Sequence, residues 1–116
     1  MTAADATLPE VTASEAAARV ERGAMLLDVR EPEEWEAGHA AGAVWIPLGT
    51  LGDRVGEVPA GQAVVCVCRI GGRSAKATEF LLASGRDAVN LIGGMQAWAA
   101  SGLPVETDAG TPGDVV

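Results

Sequence analysis

The sequence predicts one α/β domain in which a mainly parallel central sheet is flanked by helices on both faces. Three observations predict this fold. The 116 residues suit a single domain and leave no room for two. Hydrophobic residues make up 48% of the chain and charged residues 21%, which is enough apolar sequence for one core. Short apolar runs also alternate with segments of helical character, as is typical of parallel sheets.

The domain boundaries follow from composition. Residues 1–9 are mostly small or polar and predict a flexible N-terminal tail. Residues 10–106 carry the alternating pattern and form the predicted folded domain. Residues 107–116, rich in glycine, threonine and aspartate, predict a flexible C-terminal tail.

Buried strands are predicted where short apolar runs are bounded by glycine, proline or charged residues. These runs are residues 25–29, 43–46, 63–67 and 88–92. The run at 63–67 is entirely apolar, which is typical of a strand covered on both faces.

Helices are predicted from caps and breakers between these strands. Thr12 or Ser14 caps the first helix, which ends near Val20, and Pro32 begins a short second one. A helical turn is predicted at 51–55, and helices at 74–83 and 95–100. In the helix at 74–83, the face toward the core is predicted to carry Ala77, Phe80 and Leu81.

Composition excludes several classes of function. Sixteen acidic residues against eight basic ones give a net charge of −8, which argues against nucleic-acid binding and against anionic membrane surfaces. No apolar run is long enough to span a membrane, and the first residues lack the features of a secretory signal. The single histidine excludes a paired-histidine zinc motif, and no nucleotide-binding glycine motif is present, so neither metal nor cofactor is expected.

The segment most informative about chemistry runs from Cys68 to Ser74, with the sequence Cys-Arg-Ile-Gly-Gly-Arg-Ser. It joins a predicted buried strand to a helix, at the sheet edge where parallel α/β proteins bind ligands. Gly71 and Gly72 allow successive N–H groups to face inward, and the helix start adds further unpaired N–H groups. This segment therefore predicts an anion-binding loop beside a cysteine.

Cations are concentrated around the same cysteine. Arg69, Arg73 and Lys76 lie within the nine residues 68–76 of an otherwise acidic chain. Positive surroundings and N–H donors are expected to lower the pKa of Cys68, and a thiolate is a nucleophile. The residues thus predict covalent cysteine chemistry on a small anion, provided that solvent can reach the sulfur.

Cys66 is separated from Cys68 by a single residue and lies on the same face of the strand if the strand continues. A disulfide across a single residue would be badly strained, so both thiols are expected to be free, as is usual in the reducing cytoplasm. Cys66 is interpreted as a small buried hydrophobic residue, with a resolving thiol as the alternative.

Three stretches of this chain resemble the rhodanese-like family of single-domain sulfurtransferases. The second stretch is the Cys68 loop, which is similar to the Cys-Arg-x-Gly-x-Arg-Ser form of that family. The other two comprise Asp28-Val29-Arg30-Glu31, Glu34-Trp35, Gly38-His39, Gly42-Ala43 and Ile46-Pro47, and then Gly93-Gly94-Met95, Trp98 and Gly102-Leu103-Pro104-Val105.

The resemblance implies a thiosulfate sulfurtransferase with Cys68 as nucleophile and no cofactor. Its thiolate would take the outer sulfur of thiosulfate as a persulfide, and cyanide, a thiol or a thioredoxin-like protein would remove it. Arg69 and Arg73 would hold the anionic donor, and the amides of Ile70, Gly71, Gly72, Arg73 and Ser74 would stabilise the persulfide.

Two alternatives remain open. Some relatives in this family are non-catalytic modules that bind proteins. Cysteine phosphatases and arsenate reductases are the second alternative, but four residues separate Cys68 from Arg73, one fewer than in phosphatases. Asp28 and Arg30 follow a predicted strand and are expected to frame the site as an ion pair, with contact between Arg30 and substrate as the alternative.

Overall fold

Five parallel strands form one sheet in the order β1-β5-β4-β2-β3. The computed structural model describes residues 8–116, so most of the predicted N-terminal tail lies outside the described residues. The strands are β1 Glu10–Val11, β2 Met25–Asp28, β3 Val44–Trp45, β4 Ala63–Val67 and β5 Asp87–Leu91. The helices are α1 Ala13–Glu21, α2 Pro32–Ala37, α3 Leu48–Leu51, α4 Gly72–Ala83 and α5 Gly94–Ala100, with a 3-10 helix at Val55–Glu57. The predicted parallel α/β fold is confirmed.

Apolar side chains cover the sheet on both faces, as the sequence predicts. On one face α1 and α5 pack through residues such as Ala16 and Trp98, and on the other α4 packs through Ala77 and Leu81. The predicted inward position of Phe80 is wrong, because Phe80 is exposed. The buried stripe of α4 is Ser74, Ala77, Thr78 and Leu81, which has the spacing of one helical face and leaves Phe80 outside it.

The start of the described chain contributes an edge strand that the sequence analysis misses. In β1, Glu10 pairs with Asn90 and Val11 pairs with Leu91. Thr12 then caps α1, since its hydroxyl accepts from the N–H of Glu15 and the Glu15 carboxylate accepts from the N–H of Thr12. These first residues are therefore fixed beside β5, close to the Cys68 loop.

The C-terminal segment 107–116 was predicted to be a flexible tail, and the structure differs from that expectation. The N–H of Gly113 donates to the carbonyl of Val105, and the N–H of Asp114 donates to the carbonyl of Ala37. This close approach requires Gly38, because a Cβ there would lie 2.7 Å from the Asp114 backbone nitrogen. The segment is thus hydrogen-bonded to the end of α2.

Candidate active site

Cys68 follows β4, the central strand of the sheet, at its carboxyl end. The chain then turns through residues 69–71 and enters α4 at Gly72. The turn requires glycine at position 71, since φ there is +112°, in the left-handed region. The predicted placement of this loop between a buried strand and a helix is therefore correct.

Two hydrogen-bond donors surround the sulfur of Cys68. The N–H of Gly71 lies 3.1 Å from Sγ, and the hydroxyl oxygen of Ser74 lies 3.3 Å from it. Burial by itself raises the pKa of Cys68, but hydrogen bonds from Ser74, Gly71 and Ile70 outweigh it, so that the pKa lies below its ordinary value. Hydrogen bonds are thus the main cause of the lowered pKa, ahead of the neighbouring cations.

Cys68 is almost completely covered in this conformation. It is 1% exposed, whereas Ile70 in the loop above is 59% exposed. Covalent chemistry at Cys68 needs a sulfur atom that solvent can reach, and in this conformation Sγ is covered. Reaction at Cys68 therefore requires the loop at 69–72 to open, which its two adjacent glycines make easier.

Helix α5 contacts the Cys68 loop through two backbone hydrogen bonds. The N–H of Met95 donates to the carbonyl of Cys68 at 2.8 Å, and the N–H of Gln96 donates to the carbonyl of Arg69 at 3.0 Å. A side chain on Gly94 would collide with both carbonyl oxygens. The Gly93-Gly94-Met95 stretch thus holds the carbonyl groups of Cys68 and Arg69 toward α5. The N–H groups of the loop remain available to donate to Sγ.

We expect Gly94→Ala to disrupt this contact and raise the pKa of Cys68 toward its ordinary value. The matched control is Gly102→Ala, since Gly102 also has a positive φ, +79°, but nothing lies within 4 Å of an added Cβ. That control should lose about 1–2 kcal/mol of unfolding free energy from backbone strain, while the pKa of its Cys68 should stay low. Urea unfolding and the ultraviolet absorbance of the thiolate measure the two effects; equal Cys68 pKa values in both variants would contradict this role of Gly94.

Arg73 is engaged in a two-pronged ion pair. Its Nη1 and Nη2 lie 2.7 and 2.8 Å from the two carboxylate oxygens of Glu34 on α2. The pair lowers the pKa of Glu34 and raises the pKa of Arg73. Arg73 therefore ties the start of α4 to α2, while Arg69 and Lys76 extend into solvent. Donor binding by Arg69 and Arg73 stays a prediction.

Asp28, the last residue of β2, and Arg30 form a completely buried ion pair. Nε and Nη2 of Arg30 donate to the Asp28 carboxylate, and Nη2 also donates to the carbonyl of Gly38 at 2.8 Å. The side chain of Trp45 donates to the carbonyl of Arg30. These contacts engage Arg30 within the protein and favour a structural ion pair, and the framing of the site by this pair stays a prediction.

Cys66 lies in β4, in the same apolar layer as Cys68, and both thiols are free. Burial raises the pKa of Cys66 to about 11. A thiol that stays protonated at neutral pH is a poor resolving nucleophile. The interpretation of Cys66 as a packing residue is favoured by this environment.

Alkylation should separate the two cysteines. Near neutral pH we expect iodoacetamide to label Cys68 and to spare Cys66 in the folded protein, because the thiolate is the reactive form. The labelling rate at Cys68 should fall as the pH drops through its lowered pKa. Peptide mass mapping checks this, with the urea-unfolded protein as the control in which both thiols react; labelling of Cys66 in the folded protein would contradict it.

The comparisons with known proteins agree with this geometry. The sequence model of the rhodanese-like domain matches residues 12–101. This chain belongs to the rhodanese-like domain family. Within the described residues 8–116, no cluster of three potential ligand side chains is placed to hold a metal ion, and no helix is long and apolar enough to cross a membrane.

Several rhodanese-like relatives are sulfurtransferases. One is a sulfurtransferase of Allochromatium vinosum, 38% identical over 87 residues, with 74% of this chain and 81% of that protein covered. Another is the chloroplastic thiosulfate sulfurtransferase 16 of Arabidopsis thaliana, 40% identical, with 72% and 81% covered. These relatives support sulfur transfer as the general class of function.

A solved structure shares the fold. The crystal structure of a rhodanese-related protein from Thermoplasma volcanium superposes with a TM-score of 0.79 at 32% sequence identity. The match covers 84% of this chain and 96% of that one. The parallel sheet with helices on both faces is therefore the rhodanese-like fold.

Proposed function

We propose that this rhodanese-like protein is a thiosulfate sulfurtransferase that carries sulfur as a persulfide on Cys68. The observation that carries the proposal is the environment of Sγ, which accepts a hydrogen bond from the Gly71 N–H and, once Cys68 is ionised, can accept one from the Ser74 hydroxyl 3.3 Å away, at the carboxyl end of β4. Such donors stabilise a thiolate and, after transfer, a charged sulfur bound to it.

The first step forms one sulfur–sulfur bond and breaks another. The Cys68 thiolate attacks the outer sulfur of thiosulfate, and the electron pair of the broken bond leaves with sulfite. The product is a persulfide on Cys68 that bears the negative charge on its outer sulfur. The total charge is unchanged and no oxidant or reductant is consumed.

The second step returns the enzyme to its starting state. Cyanide or a thiolate attacks the outer sulfur, giving thiocyanate or a new persulfide, and Cys68 leaves as a thiolate. Alternation between two enzyme forms predicts ping-pong kinetics. We propose a thiol, including one on a thioredoxin-like protein, as the acceptor in the cell, and the cytoplasm as the location.

One observation favours a second candidate function. The burial of Cys68 at 1% exposure suits a non-catalytic module that binds another protein. Phosphatase chemistry gains no such support, since the guanidinium of Arg73 is paired with Glu34 rather than turned toward the sulfur.

Intact mass after incubation with thiosulfate tests the proposal. We expect the protein to gain one sulfur atom and to lose it when cyanide is added. No gain under these conditions overturns the proposal in favour of the interaction module. Hydrolysis of a phosphate ester, measured in parallel, would instead indicate phosphatase chemistry.

A further inference from the structure

Asn90 is a buried polar residue on β5, beside the Cys68 loop. Its side-chain Oδ1 lies 2.6 Å from the hydroxyl oxygen of Ser74, and its Nδ2 lies 3.2 Å from the carbonyl oxygen of Gly71. It therefore contacts Ser74 and Gly71, two of the residues that donate hydrogen bonds to Sγ. Position 90 falls within the strand predicted at 88–92, and the sequence alone indicates no role for it.

The orientation of the Asn90 amide follows from its neighbours. On the Nδ2 side lie two acceptors, the Gly71 carbonyl and, at 3.5 Å, a carboxylate oxygen of Glu10. Only the NH₂ group can satisfy acceptors, so Oδ1 must face Ser74. The Ser74 hydroxyl is consequently the donor in the short contact with Asn90.

A serine hydroxyl has one hydrogen atom to donate. Two other acceptors lie 3.3 Å from the same oxygen, the Sγ of Cys68 and the carbonyl oxygen of Gly71, and both are farther from it than Asn90 Oδ1. When Cys68 is a thiol, the Ser74 hydrogen points to Asn90 and the thiol can donate to the Ser74 oxygen. When Cys68 is ionised, the hydroxyl must turn from Asn90 to the sulfur to stabilise the charge.

We propose that Asn90 is a positioning residue that sets the reactivity of Cys68 by competing with the thiolate for the Ser74 hydroxyl hydrogen. The competition opposes ionisation of Cys68 in the resting protein. It also gives the hydroxyl an acceptor once Sγ is neutral, as it is in a persulfide. This second consequence rests on the proposed function, whereas the competition itself does not.

The test is a double-mutant cycle read out as the pKa of Cys68. All proteins carry Cys66→Ala, so that the ultraviolet thiolate absorbance reports one cysteine. Ser74→Ala removes the hydroxyl and should raise the pKa by about one unit, the size of one hydrogen bond to a charged group. Asn90→Leu removes the competing acceptor, keeps the branched shape of the side chain and should lower the pKa by about the same amount.

The decisive comparison is Asn90→Leu in the Ser74→Ala background. If Asn90 acts through Ser74, the downward shift disappears there, and any small change that remains reports the lost contact with Gly71. Equal shifts in both backgrounds, or no shift in either, would overturn the proposal. A pH profile of alkylation at Cys68 gives the same comparison by a second method.

Folding of the variants is checked by circular dichroism and urea unfolding. If Asn90→Leu does not fold, Asn90→Val replaces it, because its smaller branched side chain suits a strand, and the same outcomes apply. The readout needs no sulfur transfer. Failure of thiosulfate loading with an intact cycle would therefore remove the proposed function and leave this inference standing.

Discussion

Replacing Cys68 with serine is expected to abolish sulfur loading. The serine hydroxyl is not ionised at neutral pH and cannot form a persulfide, so no mass gain should follow incubation with thiosulfate. Transfer of sulfur to cyanide should fall to the rate of the uncatalysed reaction. Mass spectrometry and a colorimetric assay for thiocyanate measure these two losses.

Cys66→Ala is the matched control for this substitution. Cys66 is two residues away, in the same apolar layer, and its raised pKa keeps it protonated. The control should load sulfur at close to the native rate, with a modest loss of stability from the small cavity. Retained sulfur loading in Cys68→Ser, or lost loading in a folded Cys66→Ala protein, would show that the persulfide is not carried by Cys68 alone.

The largest loss of stability is expected from Asp28→Asn. The substitution leaves Arg30 as an uncompensated charge with 0% side-chain exposure, and breaking such a pair costs about 3–5 kcal/mol. The cost is severe here because Arg30 Nη1 already has no acceptor within the described part of the chain. Urea unfolding at neutral pH measures the change in unfolding free energy.

Two further variants give this prediction its controls. Asp28→Leu combined with Arg30→Met removes both charges and should recover most of the lost stability, because apolar residues satisfy a buried site better than a lone charge. Glu57→Gln breaks the exposed pair with Arg54 and should leave the urea midpoint unchanged. A single Asp28→Asn variant as stable as the native protein would show that burial does not penalise Arg30.

The fold could be predicted from the sequence where the hydrophobic pattern was local and repeated. The run at 63–67 is apolar throughout, and β4 occupies those five positions. β1 was missed because two residues are too few to show any period, and its pairing partner in β5 lies far away along the chain. Phe80 was misplaced because positions 77, 80 and 81 also have helical spacing, and only the packing of α4 shows that its buried face includes Thr78 instead.

The candidate active site could be predicted from the sequence only within the Cys68 loop itself. The turn, the glycines and the helix start beside Cys68 are consecutive in sequence, so their cooperation could be inferred. The partners of that loop come from other elements: Glu34 binds Arg73 from 39 residues away, and Asn90 binds Ser74 from 16 residues away. No pattern in one sequence pairs those positions, so neither the ion pair of Arg73 nor the contact of Asn90 could be predicted.

The hydrogen bonds from α5 to the carbonyls of Cys68 and Arg69 have a consequence for biosynthesis. Cys68 leaves the ribosome well before the helix that shapes its surroundings. A nascent chain that has not yet reached Met95 holds Cys68 in a loop without its outer support, and its thiol should behave like that of an unstructured peptide. The pKa of Cys68 would then fall below its ordinary value only after α5 has packed against the loop.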